Sequence, residues 1–374
     1  MLKSVIFTCC AAVGMFAFVL MLGNAIKDLL GLVLAGQLEL LTSLRLIALL
    51  VPFVITYALP MGMLTGVLLT LGRLSADSEI TAMRAAGLSL LRIARPVVVL
   101  GALGLLLALY VNFDSMPRAR VQYHKELADA VRANPISFIV PKTFIRDFPS
   151  AVVYVGEKEG AILREIWLWR LDHERRVTEV LRADSGRIDY DEATNELIFI
   201  GIQAKAERRD AKKPEDFSTA QPVGVFGSTE PVHLSLDRLF GRPKTKQRID
   251  WMTYGQLKAE RIRLDAENVP AAAAKEHALA RLRVRMTMQE KFTTALSVLS
   301  FALIGVPLGI KVSRRETSAN LGIALLLVLG YYFLTVMVKW LDRHPEYRPD
   351  VLLWLPNLFF IGLAVWLFRR AERS

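Results

Sequence analysis

The sequence has few of the residues from which metal centres and disulfide frameworks are built. It contains two cysteines and five histidines among 374 residues. Cys9 and Cys10 are neighbours within one apolar run, too close for ordinary disulfide geometry, and the histidines show no paired metal-ligand spacing. No Ser/His/Asp arrangement can be assigned either. We therefore expect no catalytic residue and no metal site.

A phosphate-binding loop is also missing. No GxxxxGK[ST] motif is present, and no Gly-rich turn between a strand and a helix replaces it. We expect that the chain does not hydrolyse ATP itself and binds no cofactor of its own.

Charge is absent from six long segments. Asp, Glu, Lys and Arg do not occur in residues 5–26, 46–71, 96–113, 292–310, 317–338 and 351–368. About 20 helical residues cross a bilayer, whereas helices buried in a soluble core normally keep a polar stripe. The segments therefore predict six transmembrane helices. The first run resembles a signal peptide because it follows Lys3 closely. However, it is longer than the usual apolar region of a signal peptide and has no convincing cleavage site, so we expect it to be a membrane anchor.

The distribution of basic residues predicts the orientation of the spans. With an even number of spans, both termini and two inner loops lie on one side and carry eleven Lys and Arg residues, against five in the two short loops opposite. The positive-inside rule places both termini in the cytoplasm. The large segment 114–290 is then external; it holds 30 basic and 27 acidic residues, so the net charge of +11 requires no nucleic-acid surface.

The external segment has a β-like middle and helical ends. Branched and aromatic residues alternate with turn residues in 151–160, 164–172, 175–191 and 195–207, with a further short run at 231–239. This pattern predicts an antiparallel sandwich, and the polar composition of 205–228 predicts an exposed loop or a partly disordered insert. The predicted layout is spans one to three in 1–113, an external region in 114–290 with its β domain at about 135–250, and spans four to six in 291–374.

A polar stretch, GRLSADSEITAMRAAGLSLLRIARP, separates spans two and three and lies in the cytoplasm in this topology. It predicts a short helix at 76–86, with Ser75 as its cap, acidic residues in the first turn and Gly87 as a left-handed stop. Two interpretations stay open on physical grounds. The helix is a handle for a separate cytoplasmic ATPase, or it rests on anionic lipid through its arginines.

The same stretch resembles the signature of the LptF/LptG (YjgP/YjgQ) permeases. The segment LTLGRLSADSEITAMRAAGLS at 69–89 carries this resemblance, and 304–334 and 352–368 are similar to the last three spans of that family. The resemblance implies a six-span inner-membrane subunit of an ABC exporter of lipopolysaccharide, with a periplasmic β-jellyroll-like domain. It also implies four partners: a second permease of this type, an LptB-type ATPase dimer that uses the ATP, and the periplasmic proteins LptC and LptA.

The resemblance further assigns residues to two sites. The short helix becomes the coupling helix of about 75–87, with an ATPase-docking site formed by Asp77, Glu79, Met83, Arg84 and Gly87. Lys27 falls where the family places cations that face lipid phosphates, and Arg45 and Lys339 are weaker candidates of the same kind. A lysine that merely extends its ammonium to the interface is the alternative for Lys27.

The chain departs from the family in two places. Relatives carry a short basic amphipathic segment ahead of span one, whereas this sequence begins almost at the membrane, which suggests a misassigned or trimmed start. Span four is entered by QEKFTTALSVL, where many relatives have an Arg and a Pro. The GRLSADSEIT sequence is more similar to the LptF half of the family than to the LptG half.

The alternative function is a non-transport membrane scaffold or sensor whose periplasmic domain binds a partner.

Overall fold

The fold is known from a computed structural model, in which the chain forms two compact units. One is helical (Met1–Lys27, Ile47–Gln122 and Gln247–Ser374), and the other contains a β-sheet (Asp28–Leu46 and Tyr123–Lys246). The structure describes residues 2–23, 39–133, 139–146, 151–160, 162–172, 174, 176–191, 196–209, 223–235, 248–267, 270, 274–311 and 317–373.

Helices account for most of the described chain. They are α1 (Leu2–Met21), α2 (Leu40–Ala76), α3 (Glu79–Ala85), α4 (Leu90–Tyr110), α5 (Met116–Ala133), α6 (Tyr254–Ala266), α7 (Ala274–Lys311), α8 (Thr317–Lys339), α9 (Pro349–Leu352) and α10 (Leu355–Arg373). A π-helical segment, Val111–Ser115, joins α4 to α5. Six helical segments in the described residues are long and apolar enough to cross a membrane, which agrees with the number predicted from charge-free runs.

The helices do not end where the charge-free runs end. The α2 helix has 37 residues and α7 has 38, so each is about 55 Å long at 1.5 Å per residue and exceeds the hydrocarbon thickness. The helices continue into the charged flanks because the backbone N–H and C=O groups of a helix are hydrogen-bonded to each other in water as well as in lipid. The last span differs from prediction in another way. Its predicted start at residue 351 falls in the separate short helix α9, and α10 begins at Leu355.

Two pairs of glycines allow α2 to approach its neighbours closely. Gly62 and Gly66 face α1: a Cβ on Gly66 would lie 2.5 Å from the Cα of Cys9. On α7, a Cβ on Gly309 would lie 2.9 Å from the Cβ of Leu71 in α2, and Gly305 meets Val67 in the same way. Small residues four positions apart let helix backbones approach in lipid, where packing drives association.

The second unit contains an antiparallel sheet. Its strands are β1 (Thr143–Ile145), β2 (Ala151–Glu159), β3 (Ile162–Leu171), β4 (Val177–Asp191), β5 (Glu196–Arg208), β6 (Val223–Ser228) and β7 (Val232–Ser235). Strands β1 to β6 pair in sequence order, and β7 pairs with β5. The β6 and β7 strands lie end to end along the same edge of β5. Thr229 stands at the break between them and exchanges hydrogen bonds with the backbone of Gly201, its Oγ1 accepting from the N–H at 2.8 Å.

One face of the sheet is apolar. Alternate residues of β2 to β5 form a single buried cluster around a cavity of about 10 Å³, whose lining includes Val153, Ile166, Leu168, Ile188 and Phe199. This agrees with the period-two pattern read from the sequence.

One prediction for this unit needs correction. Residues 223–228, assigned to an exposed loop, form strand β6, because alternating hydrogen bonds to β5 override their glycine-rich composition. The central part of that predicted loop lies outside the described residues. The described strands form one sheet in which β1 to β6 follow sequence order, and the jellyroll-like sandwich stays a prediction.

Candidate functional site: a short helix and a polar cavity

The polar stretch between α2 and α4 folds into the short helix α3. Glu79 opens this helix, and its N-cap Ser78 has a left-handed backbone with φ of 60°. Gly87 has φ of 84°, as predicted for a left-handed stop. The N–H of Leu88 donates to the carbonyl of Met83 and that of Gly87 to the carbonyl of Arg84, which is the hydrogen-bond pattern of a Schellman cap.

The predicted cap Ser75 has a different role. The α2 helix continues through Ala76, so the short helix starts three residues later than predicted. The Ser75 hydroxyl donates instead to the carbonyl of Ile310 in α7, at 2.8 Å. The prediction of Ser75 as N-cap is therefore wrong, because its hydroxyl satisfies a carbonyl at the end of another helix.

One side of α3 is exposed and the other is anchored. Asp77, Glu79, Arg84 and Gly87 are exposed, whereas Ile80 is buried to 3% exposure. Ile80 belongs to a cluster of buried residues from α1, α2, α4 and α7, and the half-buried Met83 packs against the same cluster. The predicted docking residues thus divide into an exposed polar set and one apolar anchor, Met83.

A polar cavity of about 230 Å³ lies at the other end of the apolar spans. Residues from α2, the π-helical segment, α5, α7, α8 and the turn before α6 contribute to it. Its lining comprises Thr56, Tyr57, Asn112, Met116, Arg120, Asp250, Thr287, Glu290, Lys291, Thr294 and Lys339. Lys291 lies 20 residues before Lys311 in α7, which corresponds to about 30 Å along the helix axis. The cavity and α3 are therefore separated by about the thickness of the hydrocarbon layer.

Lys291 is the buried cation of this cavity. Its side chain is 7% exposed, and its ammonium donates to the carbonyls of Asn112 (3.1 Å) and Met252 (3.0 Å). The Asn112 amide donates back to the carbonyl of Lys291 at 3.1 Å, and its oxygen accepts from the Thr56 hydroxyl at 2.9 Å. Asn112 belongs to the π-helical segment, where the wider turn displaces the usual hydrogen-bond ladder. These reciprocal bonds hold the π-helical segment against α7.

Lys339, predicted as a lipid-phosphate contact, lies in the cavity. Its ammonium forms an ion pair with Glu290 at 2.5 Å, and both side chains are partly exposed. Arg120 stacks its guanidinium over the ring of Phe53 at 4.4 Å. Arg45 is exposed and does not line this cavity, and Lys27 lies outside the described residues.

A second buried polar group joins α7, α8 and α10. Asn357 is fully buried; its amide donates to the carbonyl of Thr293 (2.9 Å) and to the hydroxyl of Tyr331 (3.2 Å), and its oxygen accepts from Ser300 (2.9 Å). Hydrogen bonds of this kind fix the relative rotation of helices that are otherwise apolar on all sides.

Sequence reasoning missed most of the cavity. Glu290 and Lys291 stand in the QEKFTTALSVL segment that departs from the family pattern, so their position at the start of an uncharged run was a usable signal. Asn112 also gave a usable signal, because it is an amide side chain at the end of a predicted span. Asp250 and Arg120 gave no signal, because only the tertiary fold brings them to the same cavity. Among the residues that the structure describes, no group of three His, Cys, Asp or Glu could hold a metal ion.

Comparison with known proteins agrees with this architecture. The family described as "Lipopolysaccharide export system permease LptF/LptG" matches residues 1–370. The "Lipopolysaccharide export system permease protein LptF" of Escherichia coli K12 is 22% identical over 342 residues, which cover 91% of this chain and 85% of the relative. The protein of the same name from Shigella flexneri matches with the same identity and coverage. Since the family match extends over nearly the entire sequence, the chain belongs to the LptF/LptG family of lipopolysaccharide export system permeases.

Proposed function

We propose that this chain is a permease subunit of an ABC exporter that extracts lipopolysaccharide from the inner membrane and passes it to a periplasmic bridge, driven by an ATPase on a separate chain. The observation that carries the proposal is the construction of α3. Its polar face is exposed while Ile80 inserts into the core formed by the spans. The chain is a multi-pass protein of the inner membrane and has no catalytic role of its own in the proposal.

The anchoring of α3 gives a physical route for force. The cluster around Ile80 includes Leu71 and Leu74 of α2, Val97 of α4 and Val306 of α7. Close-packed interiors transmit displacement rather than absorbing it. When an LptB-type ATPase dimer binds ATP and closes, a push on the exposed face of α3 therefore moves three spans together.

The proposed docking set is Asp77, Glu79, Met83, Arg84 and Gly87, in which the exposed carboxylates and Arg84 contact the ATPase. Gly87 ends the helix, so that α4 re-enters the membrane at once. In this arrangement α3 and both termini are cytoplasmic, following the positive-inside rule.

The lipid contacts are proposed at the opposite end of the spans. Acyl chains lie against the apolar helices, and phosphates meet cations at the outer rim, of which Lys27, Arg45 and Lys339 are the candidates. A second LptF/LptG-type permease completes the lipid cavity. The sheet unit is periplasmic and jellyroll-like. Its apolar face encloses only about 10 Å³, so in this proposal the face opens to receive the acyl chains before LptC- and LptA-type proteins take them.

The first test is a charge reversal on α3. Glu79→Arg is expected to abolish co-purification of the ATPase and lipopolysaccharide transport, because it places a cation where the docking groove receives a carboxylate. Glu346→Arg is the matched control, since Glu346 is also an exposed acid but lies in the loop after α8. Normal ATPase association and transport in Glu79→Arg would contradict the docking role.

The second test separates a lipid conduit from a scaffold or sensor. A photo-crosslinking residue at Leu168, on the buried apolar face of the sheet, is expected to label with lipopolysaccharide, whereas one at the exposed Arg187 is not. A scaffold would give no lipid label at either position and would have no stable ATPase partner.

A further inference from the structure

The polar cavity at the outer end of the spans carries charges of both signs. Three cations line it, Arg120, Lys291 and Lys339, together with two carboxylates, Asp250 and Glu290. The cations are in excess, so the cavity favours an anion. A volume of about 230 Å³ accommodates a phosphate group but not a sugar with acyl chains.

Lys291 provides a buried positive charge in the lining of this cavity. An ammonium has three donors, and two of them are used by the carbonyls of Asn112 and Met252. Because the lysine is buried and held in one geometry by the Asn112 clamp, little rotamer entropy is lost when the remaining donor binds an anion.

Lys339 is the adjustable cation. Glu290 neighbours Lys291 in α7 and holds the ammonium of Lys339 at 2.5 Å. Both side chains are partly exposed, with 42% and 37% of their surface open, so a ligand in the cavity can reach both charged groups. The ion pair is only part-buried, and a phosphate with two charges and several acceptor oxygens competes for the same ammonium.

We propose that Glu290 is an internal competitor for the lipid phosphate. It occupies the ammonium of Lys339 until a phosphate group of the glycolipid enters the cavity and displaces it. The inference rests on the proposed function. In this arrangement Lys291 anchors the phosphate, Lys339 closes on it, and Glu290 sets how tightly phosphorylated lipid is held and therefore how readily it is released.

Two variants test the competition in the full complex with its partner permease and ATPase, reconstituted in nanodiscs. The probes are lipid A carrying its phosphates and the same lipid after phosphatase treatment. Glu290→Gln keeps the size of the side chain but removes its charge, so it is expected to tighten binding of phosphorylated lipid A by up to about fivefold. Binding of the dephosphorylated lipid is expected to stay unchanged. Lys339→Gln is expected to weaken only the phosphorylated form.

Glu346→Gln is the control for long-range charge, because it removes one carboxylate from the loop that follows α8. The double variant Glu290→Gln/Lys339→Gln is expected to bind as Lys339→Gln does, since the competitor acts only through that lysine. Two further arms, inorganic phosphate and phosphatidylglycerol, are expected to compete only weakly. Equal competition by either would overturn the assignment to the glycolipid.

The proposal is wrong if Glu290→Gln leaves the affinity for phosphorylated lipid A unchanged. It is also wrong if Glu290→Gln and Glu346→Gln both change the affinities for the phosphorylated and the dephosphorylated lipid by the same factor. Failure of the proposed function gives a different result: the wild-type complex would bind neither lipid, or no ATPase would co-purify. Wild-type binding of phosphorylated lipid without an effect of Glu290→Gln therefore refutes the competition alone.

Discussion

The contact of α1 with α2 leads to a quantitative prediction. A Cβ on Gly66 would lie 2.5 Å from the Cα, 2.8 Å from the N and 2.7 Å from the Sγ of Cys9. Ordinary contacts between carbon atoms are about 3.5 to 4 Å, so Gly66→Ala requires α1 to move away by about 1 Å or more. Because two of the three opposing atoms belong to the backbone, rotation of a side chain cannot relieve the clash. We expect a loss of about 1 to 3 kcal/mol of helix-packing stability.

Gly14→Ala is the matched control. Gly14 also lies in α1, but its Cβ would meet nothing within 4 Å. Alanine favours a helix over glycine by up to about 1 kcal/mol, so this variant is expected to be neutral or slightly stabilising. The change in stability should therefore have opposite signs in the two glycine variants, or be close to zero in Gly14→Ala.

Thiol labelling measures the predicted displacement. Cys9 is buried to 3% exposure and its neighbour Cys10 is exposed, so Cys10→Ser leaves Cys9 as the single thiol. In this background, Gly66→Ala is expected to increase the rate of maleimide labelling and to lower the apparent melting temperature, whereas Gly14→Ala does neither. Unchanged labelling and melting in Gly66→Ala would refute the close approach of the two helices.

Three further predictions concern hydrogen bonds. Ser75→Ala removes the bond to Ile310 and is expected to cost about 0.5 to 1.5 kcal/mol in the free energy of unfolding and to lower coupling of ATP hydrolysis to transport, measured as lipid exported per ATP. Asn357→Leu leaves several buried groups without partners at about 1 to 3 kcal/mol each and is expected to lower the melting temperature much more. The backbone N–H of Arg176 donates to Asp172 and lowers the pKa of its carboxyl group. The ionised carboxylate therefore stabilises the sheet above the pKa of Asp172 in the unfolded chain, and this stabilisation is lost as the pH falls through the pKa in the folded chain. In Asp172→Asn, the free energy of unfolding should depend less on pH in that range.

The fold was predictable in its repetitive parts. Uncharged runs predicted the six spans, since burial in hydrocarbon excludes charged residues from every face of a helix. Alternation predicted β2 to β5 within a few residues, because a half-buried sheet repeats every second position. The short strand β6 was missed, as it gains its hydrogen bonds from β5 and carries little apolar pattern of its own.

The site was predictable only in part. Gly87 was identified as a left-handed stop, because that backbone conformation depends on the residue itself. The role of Ser75 was predicted wrongly, because a hydroxyl at the end of a helix can cap that helix or reach a neighbour, and only the position of Ile310 selects between them.

The sequence by itself determined where the chain meets lipid, where it turns, and that it has the signature of a permease, because these properties depend on composition and on local backbone preferences. Only the tertiary structure decided which polar groups meet. Asn112 and Lys291 are 179 positions apart, and no local preference records their contact. The pairing of Lys339 with Glu290 likewise depends on how α7 and α8 are rotated, and buried polar contacts set that rotation where every helix is apolar all round.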